Sequence, residues 1–340
     1  MKGMFFLGKG SLEVRDLGDA APGPGEVRVR VRACGVCGTD VHIYHGEKGS
    51  AEVTPPVVLG HEFAGVVDQV GEGVSSLRVG DPVTIDPNIY CGKCHFCRIG
   101  KKQLCESLRA VGVNRNGGFA ETCICPESQC LLLGPKVPFE HGAMAEPLAC
   151  CIHGIDRAGI RVGDSVCVLG GGSIGLMMVQ LAVLAGASAV VLSEPMERQR
   201  GIGLALGAAI AVDPTREDLG DRIRETLGTD GVDVVIECVG KLSVTKQAFD
   251  IAKRGAAVLL FSVPKPDAVY GLEMMQVFQK ELTILGSFVN PDTHARAVAL
   301  IDSGRIRLEP LITHRYPLDR VEDAIRMQMS GESVKVLVMP

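Results

Sequence analysis

The chain has 340 residues, a formal net charge of −5 and a 46% share of hydrophobic residues. This length predicts about two domains, each with a core of its own. The slightly acidic balance excludes the basic surface that nucleic-acid binding requires. The apolar patch at the start is interrupted by Gly8 and Lys9 and is too short for a secretory signal peptide.

Thirteen cysteines occur in the sequence. In a chain without a secretory segment they indicate a reducing compartment, where clustered cysteines bind metal rather than form disulfides. We therefore expect a cytoplasmic protein, with neither a nucleic acid nor a membrane as its partner.

The segment GEVRVRVRAC at residues 25–34 alternates strictly between apolar and basic side chains. This period of two predicts a half-exposed strand, with the arginines from Arg28 to Arg32 on the solvent side. Short strand patterns, many glycines and turn signals continue to about residue 147. The region predicts an all-β, barrel-like unit.

Potential metal ligands are distributed along this region. Cys37 lies in GVCGTD, His61 and Glu62 lie in LGHEF, and Glu146 lies in AEPL. A catalytic zinc keeps three protein ligands and leaves one position open, and thiolate, imidazole and carboxylate groups all suit it. The order of these residues and their flanking glycines predict a catalytic zinc site.

A second set of ligands is local. Cys91, Cys94, Cys97 and Cys105 follow the pattern C-x2-C-x2-C-x7-C. Four thiolates close a tetrahedral zinc shell and leave no position for substrate. The spacing predicts a structural zinc, so we expect two zinc ions per chain.

The pattern changes at about residue 148. Strand-like segments at 165–169, 190–193, 233–237 and 257–261 alternate with helical segments, which is typical of βαβ units and a parallel sheet. The apolar stretch 174–192 is long enough for a membrane helix. Because Gly186 and Ser188 interrupt it, it predicts a buried helix followed by a buried strand. Mixed elements follow residue 290 and end in a strand at 334–339.

A glycine-rich turn joins the first strand of this region to the next helix. Gly170, Gly172 and Gly175 form G-x-G-x-x-G, with Ser173 and Ile174 between the last two. Such a turn brings backbone N–H groups and a helix N-terminus to a dinucleotide pyrophosphate.

An acidic residue follows this turn at the end of the second strand. Glu194 is placed to accept hydrogen bonds from the ribose hydroxyls and to repel a 2′-phosphate, which favours NAD. The nearby Arg198 and Arg200 leave NADP as the alternative.

These motifs together resemble the zinc-dependent medium-chain alcohol dehydrogenases, in particular the polyol (sorbitol) and threonine dehydrogenase branch. The resemblance extends from PGPGEVRVRVRACGVCGTDVH to THRYPLDRVEDA. It implies an α/β fold with a GroES-like β-barrel catalytic domain at 1–147, which carries both zinc sites. It also implies a doubly wound Rossmann NAD-binding domain at 148–289, a segment at 290–340 that returns to the catalytic domain, and a homodimer or homotetramer.

The resemblance also implies roles for single residues. Cys37 and His61 match ligands of the catalytic zinc, and either Glu146 or Glu62 is the third ligand. Thr39 and His42 match a proton relay, and Glu62 is a further base. The residues that match positions near the nicotinamide are Val239, Ser262, Val263, Ser287 and Phe288.

The sequence thus predicts reversible oxidation of a secondary alcohol by NAD, with a sugar alcohol as the favoured substrate. L-Threonine 3-dehydrogenase activity is the alternative within the same family. A non-catalytic, zinc-stabilised NAD-binding protein is the alternative from another class.

Overall fold

The computed structural model describes residues 1–47, 51–265 and 267–340. The chain divides into two compact units. Met1–Ala149 and Val289–Pro340 form the first, which we call the antiparallel unit, and Cys150–Phe288 form the second, the parallel unit. The parallel unit is therefore an insertion between two segments of the antiparallel unit.

The first segment consists mainly of short strands. Its strands are β1 (Lys2–Gly8), β2 (Ser11–Asp16), β3 (Glu26–Gly35), β4 (Val57–Val58), β5 (Glu62–Val70), β6 (Pro82–Ile85), β7 (Asn88–Ile89), β8 (Arg109–Ala110), β9 (Thr122–Pro126) and β10 (Cys130–Leu132). Its helices are α1 (Gly38–Tyr44), α2 (His95–Arg98) and α3 (Phe139–Gly142). Short 3₁₀ turns lie at Lys102–Leu104 and Glu127–Gln129.

Strands and helices alternate in the middle of the chain. The helices are α4 (Ala145–Ala158), α5 (Ser173–Leu184), α6 (Glu197–Ala205), α7 (Leu219–Leu227), α8 (Leu242–Asp250) and α9 (Met274–Lys280). The strands are β11 (Ser165–Leu169), β12 (Ala189–Ser193), β13 (Ile210–Val212), β14 (Val232–Glu237), β15 (Ala252–Leu260) and β16 (Thr283–Gly286).

The last segment begins with a helix and ends in a strand. Its elements are α10 (His294–Asp302), β17 (Ile312–Pro317), α11 (Val321–Ser330) and β18 (Lys335–Met339), with 3₁₀ turns at Glu309–Leu311 and Leu318–Arg320. In this segment β18 pairs antiparallel with β3, so Leu337 lies opposite Gly35. This pairing joins the end of the chain to the antiparallel unit.

The antiparallel unit is built around one sheet with the strand order β10-β6-β5-β3-β18-β17, and β9 also pairs with β3. Its core is lined by the valines of β3 and by Phe63 and Phe119, which are fully buried. The prediction that the arginines of β3 all face solvent is wrong for Arg28. Its side chain is buried because Asp68 and Asp19 both bind its guanidinium, at 2.9 and 2.5 Å.

The parallel unit contains a six-stranded parallel sheet in the order β13-β12-β11-β14-β15-β16. The predicted change from helix to strand within 174–192 is confirmed by α5 and β12. Both elements are largely buried because the strand lies inside the sheet and the helix packs on it. In the described ranges, no helix has both the length and the apolar character needed to span a membrane.

Candidate metal and cofactor sites

The four predicted lobe cysteines converge. The sulfur atoms of Cys91, Cys94, Cys97 and Cys105 all lie within 4.8 Å of one another. Cys91 Sγ is 3.9 Å from Cys97 Sγ. A tetrahedral zinc with bonds of about 2.3 Å would hold two sulfurs about 3.8 Å apart, so the observed arrangement fits zinc.

Backbone groups around the lobe favour thiolates. The N–H of Cys94 donates to Cys91 Sγ and the N–H of Cys91 donates to Cys105 Sγ, both at 3.3 Å. Bonds from the backbone of Lys93 and Cys94 lower the pKa of Cys91 to about 6. Burial raises the pKa of Cys97 to about 12. A divalent cation among the sulfurs would offset that burial, because its charge favours every thiolate.

A second cluster, which we call the mixed cluster, consists of Cys37, His61 and Glu62. Their ligand atoms also lie within 4.8 Å of one another. His61 and Glu62 are buried. Cys37 is the residue that precedes α1, and Glu62 is the first residue of β5. Gly60 turns the chain toward the cluster with a φ of +90°, and a Cβ there would lie 2.7 Å from Cys34 Sγ.

Asp40, which the sequence analysis missed, connects two members of the mixed cluster. Its Oδ2 accepts the backbone N–H of Cys37 at 2.9 Å, and its Oδ1 lies 3.6 Å from Nδ1 of His61. Burial lowers the pKa of His61, but the negative charges of Asp40 and Cys37 outweigh it and raise that pKa overall. The sequence did contain a signal for Asp40, because an acidic residue three positions after a helix N-cap is typical of a capping box.

Two further charged side chains lie near the mixed cluster. Lys335, which the sequence analysis also did not name, is buried and donates to Oε2 of Glu62. Glu146 is buried in the first turn of α4 and is outside the group of mutually close ligand atoms. Of the two predicted carboxylates, Glu62 is the one whose oxygen lies within 4.8 Å of the ligand atoms of both Cys37 and His61.

The predicted glycine turn lies between β11 and α5. Gly170 has a φ of +102°, which favours glycine, and a Cβ on Gly175 would lie 1.8 Å from the carbonyl oxygen of Gly170. Gly172 is the N-cap of α5 and has open space where its Cβ would be. Ser173 and Ile174 form the first turn of that helix. The turn is thus tightly packed on one side and open on the other.

Glu194 is fixed directly after β12. Its Oε2 accepts the N–H of Gly171 at 2.6 Å and its Oε1 accepts the N–H of Met196 at 2.8 Å, so the carboxylate is attached to the glycine turn. Glu194 is buried, while Arg198 is exposed. Arg200 instead bonds to the backbone carbonyl of Glu194 and to Asp213.

Comparisons with known proteins agree with this geometry. Residues 23–135 match the model of the alcohol dehydrogenase GroES-like domain, and residues 173–303 match that of zinc-binding dehydrogenases. The L-threonine 3-dehydrogenase of Caldanaerobacter subterraneus is 35% identical over 94% of this chain and 92% of its own length. The chain belongs to the zinc-dependent alcohol dehydrogenase family.

Two other relatives illustrate the range of this family. The sorbitol dehydrogenase of Halalkalibacterium halodurans is 33% identical over 98% of this chain and 97% of its own length. A zinc-binding dehydrogenase from Sinorhizobium meliloti 1021, solved with NADP bound, is 42% identical with a TM-score of 0.95. That comparison covers 100% of this chain and 99% of the other.

The other predicted cofactor residues of this dehydrogenase lie at the ends of parallel strands. Glu237, the last residue of β14, accepts the N–H groups of Val239 and Gly240 at 2.7 and 2.8 Å and the hydroxyl of Ser262. Sequence reasoning named Val239 and Ser262 but missed the carboxylate that connects them. The remaining predicted positions follow β15 and β16: Val263 and Phe288 are exposed, and Ser287 is half-buried.

The two predicted proton-relay residues lie on α1. Thr39 is half-buried in its first turn, and His42 lies one turn later, where its Nδ1 contacts a carboxylate oxygen of Glu47. Residues three apart in a helix share one face. The sequence spacing therefore puts both side chains on the same side of the helix that directly follows Cys37.

Proposed function

We propose that this dehydrogenase catalyses the reversible NAD-linked oxidation of a secondary alcohol to a ketone, with sugar alcohols as its substrate class. The observation that carries the proposal is the mixed cluster. The thiol of Cys37 meets the imidazole of His61 and the carboxylate of Glu62, and this donor set, two of whose members are buried, fits a catalytic zinc.

In this proposal each chain binds two zinc ions. Cys37 and His61 hold the catalytic ion with Glu62 or Glu146, and the structural ion is held by Cys91, Cys94, Cys97 and Cys105. When bound, the catalytic zinc supplies Lewis acidity that lowers the pKa of a substrate hydroxyl, and NAD supplies the hydride acceptor. Asp40 orients His61 and the backbone of Cys37.

The protein must also carry away the hydroxyl proton. We assign this step to the Thr39 hydroxyl and the His42 imidazole, because they share a face of α1 and His42 contacts the carboxylate of Glu47. An imidazole in this position can receive a proton from the hydroxyl and release it to water. Glu62 is the second candidate base.

The cofactor in this proposal is NAD, and its nicotinamide lies near Val239, Ser262, Val263, Ser287 and Phe288. Glu194 supports NAD because a fixed, buried carboxylate after β12 repels a 2′-phosphate. Glu194→Ser should raise the ratio of NADP to NAD turnover about tenfold or more. Glu197→Ser, an exposed carboxylate nearby, is the control. A wild type that prefers NADP would contradict this choice and would point to the exposed Arg198.

L-Threonine is the second candidate substrate. The relationship to L-threonine 3-dehydrogenases over nearly the whole chain supports it, while the sorbitol dehydrogenase relative supports a sugar alcohol. NADH formation should be measured with sugar alcohols, L-threonine and simple secondary alcohols. We expect the highest kcat/KM with a sugar alcohol. Turnover of threonine alone would favour the second candidate, and no turnover of any alcohol would favour a non-catalytic NAD-binding protein.

We also propose that the chain forms a homodimer or a homotetramer. Support comes from the edge strand β16 and from the neighbouring helix α9, where Met274, Met275 and Phe278 are 72%, 63% and 79% exposed. Edge strands and exposed apolar patches both favour association. Phe278→Glu should lower the mass measured by light scattering, whereas Val162→Glu, at an exposed valine in the loop before β11, should not.

A further inference from the structure

Gly171 lies in the glycine turn at a position that the pattern G-x-G-x-x-G leaves free. It is buried and its φ is not positive, so the backbone conformation alone does not require glycine there. A Cβ on Gly171 would lie 2.7 Å from Cγ of Glu194 and 3.1 Å from both Cβ and Oε2 of that residue, which are its three nearest atoms beyond the chain neighbours. The side chain of Glu194 therefore occupies the space that a larger residue would need.

The parallel sheet brings these two residues together. β11 and β12 pair with Leu169 opposite Ser193, and the N–H of Gly170 continues the pairing by donating to the carbonyl oxygen of Ser193 at 2.8 Å. Glu194 is the first residue after β12, and Gly171 is the second after β11. Both thus lie at the carboxyl edge of the sheet, which is the edge where dinucleotides bind in this type of fold.

The side chain of Glu194 is held firmly in this place. It is 8% exposed, and its two carboxylate oxygens accept the N–H groups of Gly171 and Met196 at 2.6 and 2.8 Å. Loss of such bonds by a buried carboxylate is unfavourable, because hydrogen bonds to an ionised group are stronger than neutral ones. The atom closest to the added Cβ is Cγ, in the middle of the side chain. A methyl group on Gly171 would therefore turn the whole side chain away and break these bonds.

The carboxylate of Glu194 also keeps its charge available for the cofactor. The guanidinium of Arg200 donates to the backbone carbonyl oxygens of Glu194 and Pro195, at 2.8 and 2.6 Å, and lies 3.2 Å from Oδ2 of Asp213. The positive charge of Arg200 is therefore paired with Asp213. Each carboxylate oxygen of Glu194 has a second lone pair, so it can still accept a ribose hydroxyl.

We propose that Gly171 determines the choice between NAD and NADP together with Glu194. Because Gly171 has no side chain, the Glu194 carboxylate lies against the turn, where it accepts the ribose hydroxyls and repels a 2′-phosphate. The proposal rests on the proposed preference for NAD. It assigns the discrimination to a pair of residues, since Glu194 keeps its position only while no Cβ is present on residue 171.

Gly171→Ala tests this proposal by fluorescence titration with NADH and NADPH, which measures cofactor binding without turnover. The ratio of the Kd for NADPH to the Kd for NADH should fall at least about fivefold relative to the wild type, mainly because NADH binds more weakly. Gly201→Ala is the matched control, at an exposed glycine of α6 with open space where its Cβ would be. The control should keep the ratio of the wild type. An unchanged ratio in Gly171→Ala would overturn the proposal.

The double variant Gly171→Ala with Glu194→Ser shows whether the effect of Gly171 passes through Glu194. Glu194→Ser removes Cγ and the carboxylate, so adding Gly171→Ala to it should leave the Kd ratio unchanged. A further fall in the ratio would mean that the methyl group acts on the cofactor directly, which would overturn the proposal.

The same double variant decides the case in which Gly171→Ala does not fold. The proposal then requires the double variant to fold with the Tm of Glu194→Ser, because the obstructing Cγ and Oε2 atoms are gone. A double variant that also fails to fold would show that the methyl group meets another part of the turn, and the proposed role of Gly171 would be wrong.

The wild type separates this proposal from the proposed cofactor. A wild type that prefers NADH, together with an unchanged ratio in Gly171→Ala, would overturn the role of Gly171 alone. A wild type that binds NADPH more tightly than NADH would contradict the choice of NAD and, with it, the role of Gly171.

Discussion

The two cysteine-containing clusters of the antiparallel unit are built in opposite ways. The lobe takes its four sulfurs from residues 91–105, and the groups that bond to them are mainly backbone N–H groups of the same loop. The mixed cluster takes its groups from the residue before α1 and from residues 61 and 62 at the start of β5, and the buried charges of Asp40 and Lys335 contact it. A closed thiolate site needs only its loop, whereas a site with an open position needs neighbours that control each ligand.

This difference predicts separate consequences for mutation. His61→Ala should reduce kcat/KM at least about a thousandfold, or ~4 kcal/mol, because the metal of the mixed cluster is lost or misplaced. The variant should remain folded and bind NADH, as thermal melting and fluorescence titration can check. The control is His95→Ala, an exposed histidine of the lobe, which should retain activity. Unfolding of His61→Ala would mean that the mixed cluster is the structural one.

Cys97→Ser should give the opposite result. It removes one of four ligands from a loop whose metal binding contributes to folding, so the free energy of unfolding should fall by several kcal/mol. We expect the Tm to decrease by at least about 5 °C. Cys150→Ser, a half-buried cysteine outside both clusters, is the matched control. A stable but inactive Cys97→Ser protein would reverse the roles of the clusters.

The third prediction concerns His294, which is buried beside a hydroxyl. His294 Nε2 lies 3.4 Å from the Thr84 hydroxyl, and burial lowers the pKa of His294 to about 3. In the unfolded chain this pKa is about 6.5, so the stability present above pH 6.5 is lost as the pH falls toward 3. The loss at pH 5 is about 2 kcal/mol.

His294→Gln should therefore lose less stability between pH 8 and pH 5 than the wild type. Both proteins carry the same metal clusters, so the difference between them isolates His294. His141→Gln, a half-buried histidine near Glu309, should behave like the wild type. Equal losses of stability in His294→Gln and the wild type would contradict the prediction. They would also contradict the contrast between the lowered pKa of His294 and the raised pKa of His61.

The same contrast explains what the sequence could predict. The four lobe cysteines and the glycine turn are local patterns, and their spacing alone indicates their geometry. Lys335 is 273 residues away from Glu62, and only the pairing of β18 and β5 with β3 brings them together. Its sequence context, a strand-like run, indicates an ordinary half-buried lysine. Predicting the contact of Lys335 with Glu62 would have required the register of three strands.

Asp40 and Glu237 are intermediate cases. Each lies close in sequence to groups that it bonds, and each satisfies backbone N–H groups at the end of a turn or strand. A search for carboxylates at helix starts and strand ends would have found both. The choice between Glu62 and Glu146 was beyond sequence reasoning, because it depends on distances between side chains of different elements.

Stepwise zinc removal with a count of the metal tests the central claim most directly. The account predicts two zinc ions per chain, of which mild chelation removes one, because only the mixed cluster has an exchangeable position. Dehydrogenase activity should fall in proportion to the loss of this first ion, while the Tm changes little. Activity that persists after the first zinc has left would contradict the assignment of Cys37 and His61 to the catalytic metal.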